Sequence, residues 1–249
     1  MESAVKIKRI KIVNVPVDII PGEGLEEVVK AMLADGDRHQ IVMLTLKDML
    51  KARRNEEMKR TVKEASLVVP VSLGIIRGAQ FLGRDLPYRY MPFEFVIKLL
   101  GILEKYKKSV YLLGSKPNQL QISAGNLRAS FPELSIVGRC AGYYGRGMEK
   151  NIILAIRKAA PSLLLAGPGL PARDTWVANN KRNFNPGIYL WCGECFDIFS
   201  GKRSKPSRGA WESGLESLPD ALRRPWRFFR AFLYLYYGIL LVIHRLRRL

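Results

Sequence analysis

Arg173 and Asp174 follow an apolar run, Leu163-Leu-Leu-Ala166, and a turn, Gly167-Pro-Gly-Leu-Pro171. The run is too short for a helix and suits a buried parallel strand; the glycines and prolines then shape a loop, and a guanidinium, a carboxylate and the Trp176 ring open the next helix. Ligands of open parallel sheets bind just past the carboxyl ends of strands, so Gly167, Gly169, Pro171, Arg173 and Asp174 are candidate ligand contacts. Gly114-Ser-Lys116-Pro117 also stands between a strand and a helix, where free backbone N–H groups and the Lys116 ammonium suit a phosphate. It lacks the Gly-x-x-x-x-Gly-Lys-Ser/Thr pattern of a triphosphate loop, and no Gly-x-Gly-x-x-Gly occurs, which argues against kinases and ordinary dehydrogenases. Gly142-Tyr143-Tyr144 could stack a base or a sugar, or form an ordinary surface turn. Asp197, between Phe196 and Ile198, needs a partner if buried; a ligand hydroxyl or a helix start would supply one. Cys192-Gly-Glu-Cys195 has metal-like spacing, but with Cys140 as the remaining cysteine and only His39 and His244 elsewhere, no zinc site is expected.

Loops of this kind need alternating strands and helices behind them, and the pattern runs that way over residues 5–200. Val5 to Val15 alternates apolar and basic residues like a half-buried strand, and Pro21-Gly-Glu-Gly24 precedes a helix over 25–34. Strands follow at 41–45, 65–70, 110–114, 134–138, 163–166 and 187–192, separated by helices at 46–63, 74–82, 92–106, 118–130 and 148–159. Strands joined by helices run parallel and are covered on both faces. The expected fold is therefore α/β, a Rossmann-like, largely parallel sheet flanked by helices, occupying residues 1–201.

The chain has 249 residues, with 41 Lys and Arg against 22 Asp and Glu, a formal charge of +19 that attracts anions: nucleic acid, anionic lipid or phosphorylated substrates. The opening Met1-Glu-Ser-Ala-Val-Lys6 lacks a basic segment followed by an apolar stretch, so no secretory signal and a reducing compartment are expected. Residues 202–249 differ from the rest, with eleven Lys or Arg, three acidic residues and eight Trp, Phe and Tyr. The uncharged run 231–243 spans about 20 Å as a helix, short of the roughly 30 Å hydrocarbon core of a bilayer. Flanked by Arg223, Arg224, Arg227 and Arg230 before it and Arg245, Arg247 and Arg248 after it, it reads as a helical appendage lying on an anionic membrane surface. The alternative is a helix docked on the sheet with its arginines turned outward. Interleaving Arg with Leu, Ile and Phe is unlike the solvated basic stripes that track phosphates, so nucleic acid is not the expected partner.

These segments resemble the WecG/TagA/CpsF family of glycosyltransferases from about Ile41 to Phe232. The matching pieces are Thr45 after its strand, Ala65-Ser-Leu-Val-Val-Pro70 with Gly74, and Gly78-Ala-Gln-Phe-Leu-Gly83 with Pro87 and Arg89. Next come Leu112-Leu-Gly-Ser-Lys-Pro117, Phe131-Pro-Glu-Leu-Ser-Ile-Val-Gly138 and Gly142-Tyr-Tyr144. The most specific is Pro161 to Pro171 running on to Trp176, followed by Phe196-Asp-Ile-Phe-Ser-Gly201 and Gly214-Leu-Glu216. The resemblance implies transfer of an N-acetylhexosamine, typically N-acetylmannosamine, from a UDP-sugar to a polyprenyl-diphosphate-linked acceptor at the cytoplasmic membrane face, in surface polysaccharide assembly. Neither a metal nor a cofactor is expected. The arginines of the appendage, Arg208, Arg223, Arg224, Arg227 and Arg230, would engage membrane and acceptor diphosphate, for which guanidinium forks are suited.

The chain departs from the family pattern where chemistry is expected. Members carry Pro-Asp-Gly, with Asp as the proposed base, where this chain has Pro70-Val71-Ser72; Pro92-Phe93-Glu94 stands for Gly-x-Asp, Ala172-Arg173-Asp174 for Lys-Gln-Glu, and Lys47 for Asn. Valine accepts no proton, so a base, if retained, has moved, and Glu94 and Asp174, with Thr45 beside them, are the catalytic candidates. Ser72 could hold a phosphate or hydroxyl, and Arg173 could stabilise a departing diphosphate. The alternative implied by the same substitutions is an inactive member that binds nucleotide sugar or lipid diphosphate as a partner protein. Self-association is left open.

Overall fold

The computed structural model describes residues 7–20, 24–214 and 230–247. The first segment is not one strand: β1 (Lys8–Ile12) and β2 (Val15–Ile19) form a separate antiparallel hairpin. Val13 and Asn14 turn it with φ of 48° and 68°, the left-handed pair that a two-residue hairpin loop requires. Asp18, buried on β2, accepts two bonds of 2.7 Å from the Arg9 guanidinium and one of 2.7 Å from the Val68 N–H. The hairpin is thereby fastened to the edge of the main sheet, and the outward-facing N–H of Val68 is satisfied.

Beyond α1 (Leu25–Ala34) the strands β3 (Arg38–Leu44), β4 (Leu67–Pro70), β5 (Ser109–Leu113), β6 (Ser135–Cys140), β7 (Leu163–Ala166) and β8 (Gly187–Trp191) form one six-stranded sheet. Every pairing is parallel, in the order β4-β3-β8-β7-β5-β6. The connections are α2 (Leu46–Ala52), α3 (Glu56–Lys63), α4 (Leu73–Phe81), α5 (Pro92–Lys105), α6 (Pro117–Ser130), α7 (Glu149–Ala159) and α8 (Asp174–Asn180), with α9 (Cys195–Phe199), α10 (Arg208–Ser213) and α11 (Arg230–Leu246) after β8. The helix expected over 46–63 is two, because Asn55 caps a new start by accepting the Met58 N–H at 2.7 Å.

Alternate strand residues face opposite ways. Ile41, Leu67, Val110, Leu163, Ile188 and their i+2 neighbours share one continuous core with α1, α5, α6 and α9. The other face carries two separate clusters, Val42, Leu44 and Val68 under α2, α3 and α4, and Tyr111, Leu113, Leu164 and Tyr189 under α7 and α8. The loops after β3 and β7 therefore lead to one face and those after β8 and β5 to the other. Where such neighbouring loops part, a crevice opens at the carboxyl edge of the sheet.

α11 packs across α4. Tyr237 and Leu241 are buried with the second cluster, and Leu233, Tyr236 and Leu240 lie against it. The approach depends on two glycines one turn apart on α4: a Cβ on Gly78 would lie 2.0 Å from the Tyr237 hydroxyl, and one on Gly74 3.1 Å from the Tyr234 ring. The opposite side of α11 exposes Phe232, Leu235, Ile239, Val242 and Leu246 as a stripe. Docking on the domain and presenting an apolar face are thus compatible. Among the described residues no helix is long and apolar enough to cross a membrane.

Candidate active site

The loop residues singled out by sequence meet along the carboxyl edge. Thr45 follows β3, Ser72 follows β4, Gly114, Ser115 and Lys116 follow β5, Gly142 and Tyr143 follow β6, and Gly167 to Asp174 follow β7. Three of these glycines place loop against loop, and a fourth places its loop against α9. A Cβ on Gly114 would lie 2.8 Å from the Gly167 carbonyl carbon, one on Gly142 2.4 Å from the Pro168 oxygen, one on Gly169 2.6 Å from the Tyr143 nitrogen, and one on Gly167 2.3 Å from the Phe196 ring. Backbone bonds close the same contacts: Ser115 N to Pro168 O at 2.6 Å, Gly142 N to Ser115 O at 2.9 Å, and Tyr143 N to Gly169 O at 2.9 Å. The three loops form one interlocked floor, from which the exposed Tyr143 ring rises. Lys116 is exposed at the start of the 14-residue α6, where the helix dipole adds to its charge.

At the other end of the crevice two hydroxyls are fixed by backbone. Ser72, the residue before α4, accepts the Leu46 N–H at 3.0 Å and so ties the β4 loop to the β3 loop. Thr45 caps α2, accepting the Asp48 N–H at 3.1 Å, and its own hydroxyl donates to Asp48 Oδ2 at 2.6 Å. Asp48 did not stand out in sequence as a site residue; the signal that could have found it is the capping-box spacing Thr45-x-x-Asp48. Val71 between them is 5% exposed and belongs to the continuous core. Its N–H bonds to Leu44 O at 3.0 Å, so it extends the β4 pairing as a packed residue.

Asp174 is the first residue of α8 and is 5% exposed. Its backbone oxygen accepts from Gln40 Nε2 at 3.0 Å, while its Oδ1 and Gln40 Oε1 have no hydrogen-bond partner among the described residues. Burial, and secondarily the charge of Asp48, push the carboxyl well above the usual carboxylate range against the weaker pull of Arg173. Asp174 so placed suits holding a proton better than taking one. The chain just before it is strained: Ala172 has φ 59° and Arg173 φ 53° with ψ −120°, unusual for residues with side chains. Such conformations cost about 1–3 kcal/mol each and collect where a loop is held for function. Arg173 itself is exposed, as is Pro171.

Other expected contacts stand on α5, α9, α10 and α11. Glu94, in the first turn of α5, is half-exposed with Lys205 Nζ 4.0 Å away; the preceding loop meets the end of β4 through Tyr90 N and Pro70 O. Asp197 lies in the first turn of α9, paired with Lys202 at 3.3 Å. Cys192 and Cys195 are buried as free thiols, and burial pushes Cys192 well above its ordinary range. Arg208 opens α10 and is exposed; Trp211 of the same helix is held by the Arg89 guanidinium 3.6 Å over its ring. Arg230 starts α11, whereas Arg223, Arg224 and Arg227 lie outside the described residues. The Asp-x-Asp spacing that a metal-dependent transferase would use does occur, at Asp35-Gly36-Asp37, but in the turn leading into β3 at the opposite edge, where Asp35 holds His39 at 2.8 Å.

An all-parallel sheet with its loops, hydroxyls and cations gathered at one edge defines a ligand-binding α/β protein of the Rossmann-like class. The chain belongs to the glycosyl transferase WecG/TagA/CpsF family, whose model matches residues 10–249. It is similar to the N-acetylglucosaminyldiphosphoundecaprenol N-acetyl-beta-D-mannosaminyltransferase of Bacillus subtilis (strain 168), with 22% identity over 170 residues, 68% of this chain and 65% of that protein. Relatives of the same name from Bacillus spizizenii and Staphylococcus aureus (strain NCTC 8325 / PS 47) are 21% and 19% identical, covering 72% of this chain and 69% and 70% of theirs.

Proposed function

We propose that this protein is a glycosyltransferase that moves an N-acetylhexosamine, of the N-acetylmannosamine type, from a UDP-sugar to a polyprenyl-diphosphate-linked acceptor, working peripherally at the cytoplasmic face of a membrane in surface polysaccharide assembly. The observation that carries the reading is the layout of the crevice. Fixed hydroxyls of Thr45 and Ser72 stand at one end and the Lys116 ammonium with the α6 N-terminus at the other, three strand spacings or about 14 Å from Thr45 and four or about 19 Å from Ser72. That span suits an extended nucleotide sugar, its diphosphate toward the cations and its sugar toward the hydroxyls. The names of the relatives support the acceptor class. α11 supports the membrane: its apolar stripe faces outward, its first turn contains no acidic residue, and its N-terminal end lies beside the first turn of α4, directly after Ser72.

A second reading is favoured by one observation, the burial of Val71 as a core residue where the family carries its base. On that reading the chain binds the same ligands without chemistry. Release of UDP from a panel of UDP-N-acetylhexosamines, with a short-chain diphosphate-linked N-acetylglucosamine acceptor, separates the two. Turnover by the wild type supports the transferase. A silent wild type with turnover gained in Val71→Asp supports the binding protein. Silence in both, with no UDP-sugar binding, would remove both.

A further inference from the structure

Any base that serves this site must reach a hydroxyl at the carboxyl end of β3 and β4 and be ionised there. Val71 has no proton-accepting group, Asp174 is enclosed with its neutral form favoured, and Glu94 stands in the first turn of α5, which packs on the opposite face of the sheet from α2. Thr45 and Asp48 are different. The Thr45 oxygen accepts one bond, from Asp48 N at 3.1 Å, and donates one, to Asp48 Oδ2 at 2.6 Å. A hydroxyl oxygen has two lone pairs, so one remains to accept from an incoming O–H, and Thr45 is partly exposed. A 2.6 Å bond to a carboxylate oxygen is in the short range of charge-assisted contacts. Thr45-x-x-Asp48 has the spacing of a capping box, and the carboxylate bond is additional to the Asp48 N–H by which Thr45 caps α2. Asp174, close enough for the Asp48 charge to act on it, and Gln40 beside it leave Asp174 Oδ1 and Gln40 Oε1 buried with no hydrogen-bond partner among the described residues.

We propose that Thr45 and Asp48 form a two-residue proton relay replacing the base absent at position 71, with Thr45 touching the acceptor hydroxyl and Asp48 acting only through Thr45. This deepens the transferase reading and rests on it. In the step, the acceptor oxygen bonds to the anomeric carbon of the donor sugar while the bond from that carbon to the diphosphate oxygen breaks, its electron pair leaving with the diphosphate. The acceptor proton passes to Thr45 Oγ1 as the Thr45 proton passes to Asp48 Oδ2. Charge and atoms balance, with no metal in the step.

The test measures kcat and KM with the donor and acceptor used above, alongside thermal unfolding. Asp48→Asn keeps an oxygen that accepts from Thr45 but cannot take its proton; it is expected to melt like the wild type, with KM unchanged and kcat lower by about 10²- to 10⁴-fold. Asp48→Glu, which restores a carboxylate, and Thr45→Ser, which restores a hydroxyl, should each recover at least about a tenth of wild-type kcat, and Thr45→Val should match Asp48→Asn. Asp48→Asn turning over within about threefold of the wild type would reduce Asp48 to a cap and overturn the relay while leaving the transferase reading intact. A silent wild type rescued by Val71→Asp overturns the relay and the transferase reading but keeps ligand binding. Should Asp48→Asn fail to fold, equal kcat in Thr45→Val and wild type would overturn the relay by itself.

Discussion

Asp174 carries its carboxyl away from water, with Asp48 nearby and one oxygen unpartnered. A carboxyl whose pKa is higher in the folded than in the unfolded chain holds its proton more tightly when folded. Its effect is absent at acid pH, below the ordinary carboxylate value, and stability falls as the pH rises from there toward the folded value. Asp174→Asn is therefore expected to unfold at higher urea concentration than the wild type, with a gap that is wider at pH 8 than at pH 5. A gap of constant size would mean that the carboxyl is ionised in the fold. Retaining such a group suggests use rather than stability, and the strained Ala172 and Arg173 that deliver it point the same way. Sequence placed Asp174 correctly beyond its strand, because strand, turn and helix opening are local patterns. Its enclosure depends on Gln40, 134 positions earlier, and no local pattern carries that.

The helices and central strands were readable because their apolar periods, 3.6 and 2, are imposed by the two-faced sheet itself. Three features were not. The Val13–Asn14 turn lacks the glycine that marks such turns, and the hairpin is held by Asp18 of β2, which accepts from Arg9 on β1 and Val68 on β4. The break between α2 and α3 rests on one asparagine side chain. Gly114, Gly142, Gly167 and Gly169 read as places for a ligand to approach; that their Cβ sides also meet neighbouring loops or the Phe196 ring depends on residues distant in sequence. That interlocking gives a direct test within one loop. Gly142→Ala pushes a methyl into the Pro168 and Gly169 backbone and is expected to destabilise by about 1–3 kcal/mol in denaturant unfolding, with UDP-sugar affinity reduced. Gly145→Ala, with nothing within 4 Å of the added carbon, should leave both unchanged. Equal effects would mean that the loops move independently.

At the scale of the molecule, the basic appendage that sequence set apart from residue 202 onward shares a core cluster with α2, α3 and α4, so its two sides have separate tasks. Leu235, Ile239 and Val242 face outward, and their joint replacement by Gln removes about 1 kcal/mol each of interfacial burial, roughly a hundredfold in partitioning to anionic vesicles. Co-sedimentation measures this, and the melting temperature should not move. Undiminished sedimentation would remove the membrane role of α11. Tyr237 is the wrong residue for such a test, because it fills the Gly78 notch and its replacement by Glu undocks the helix itself. The same notch has a consequence in time. Tyr237 follows Gly78 by 159 residues, so at ribosomal speeds of about 5–20 residues per second the groove on α4 emerges roughly 10–30 seconds before the ring that fills it. Until then the nascent chain shows an uncovered apolar furrow, and a chaperone or a lipid surface reaching it first competes with the protein's own last helix.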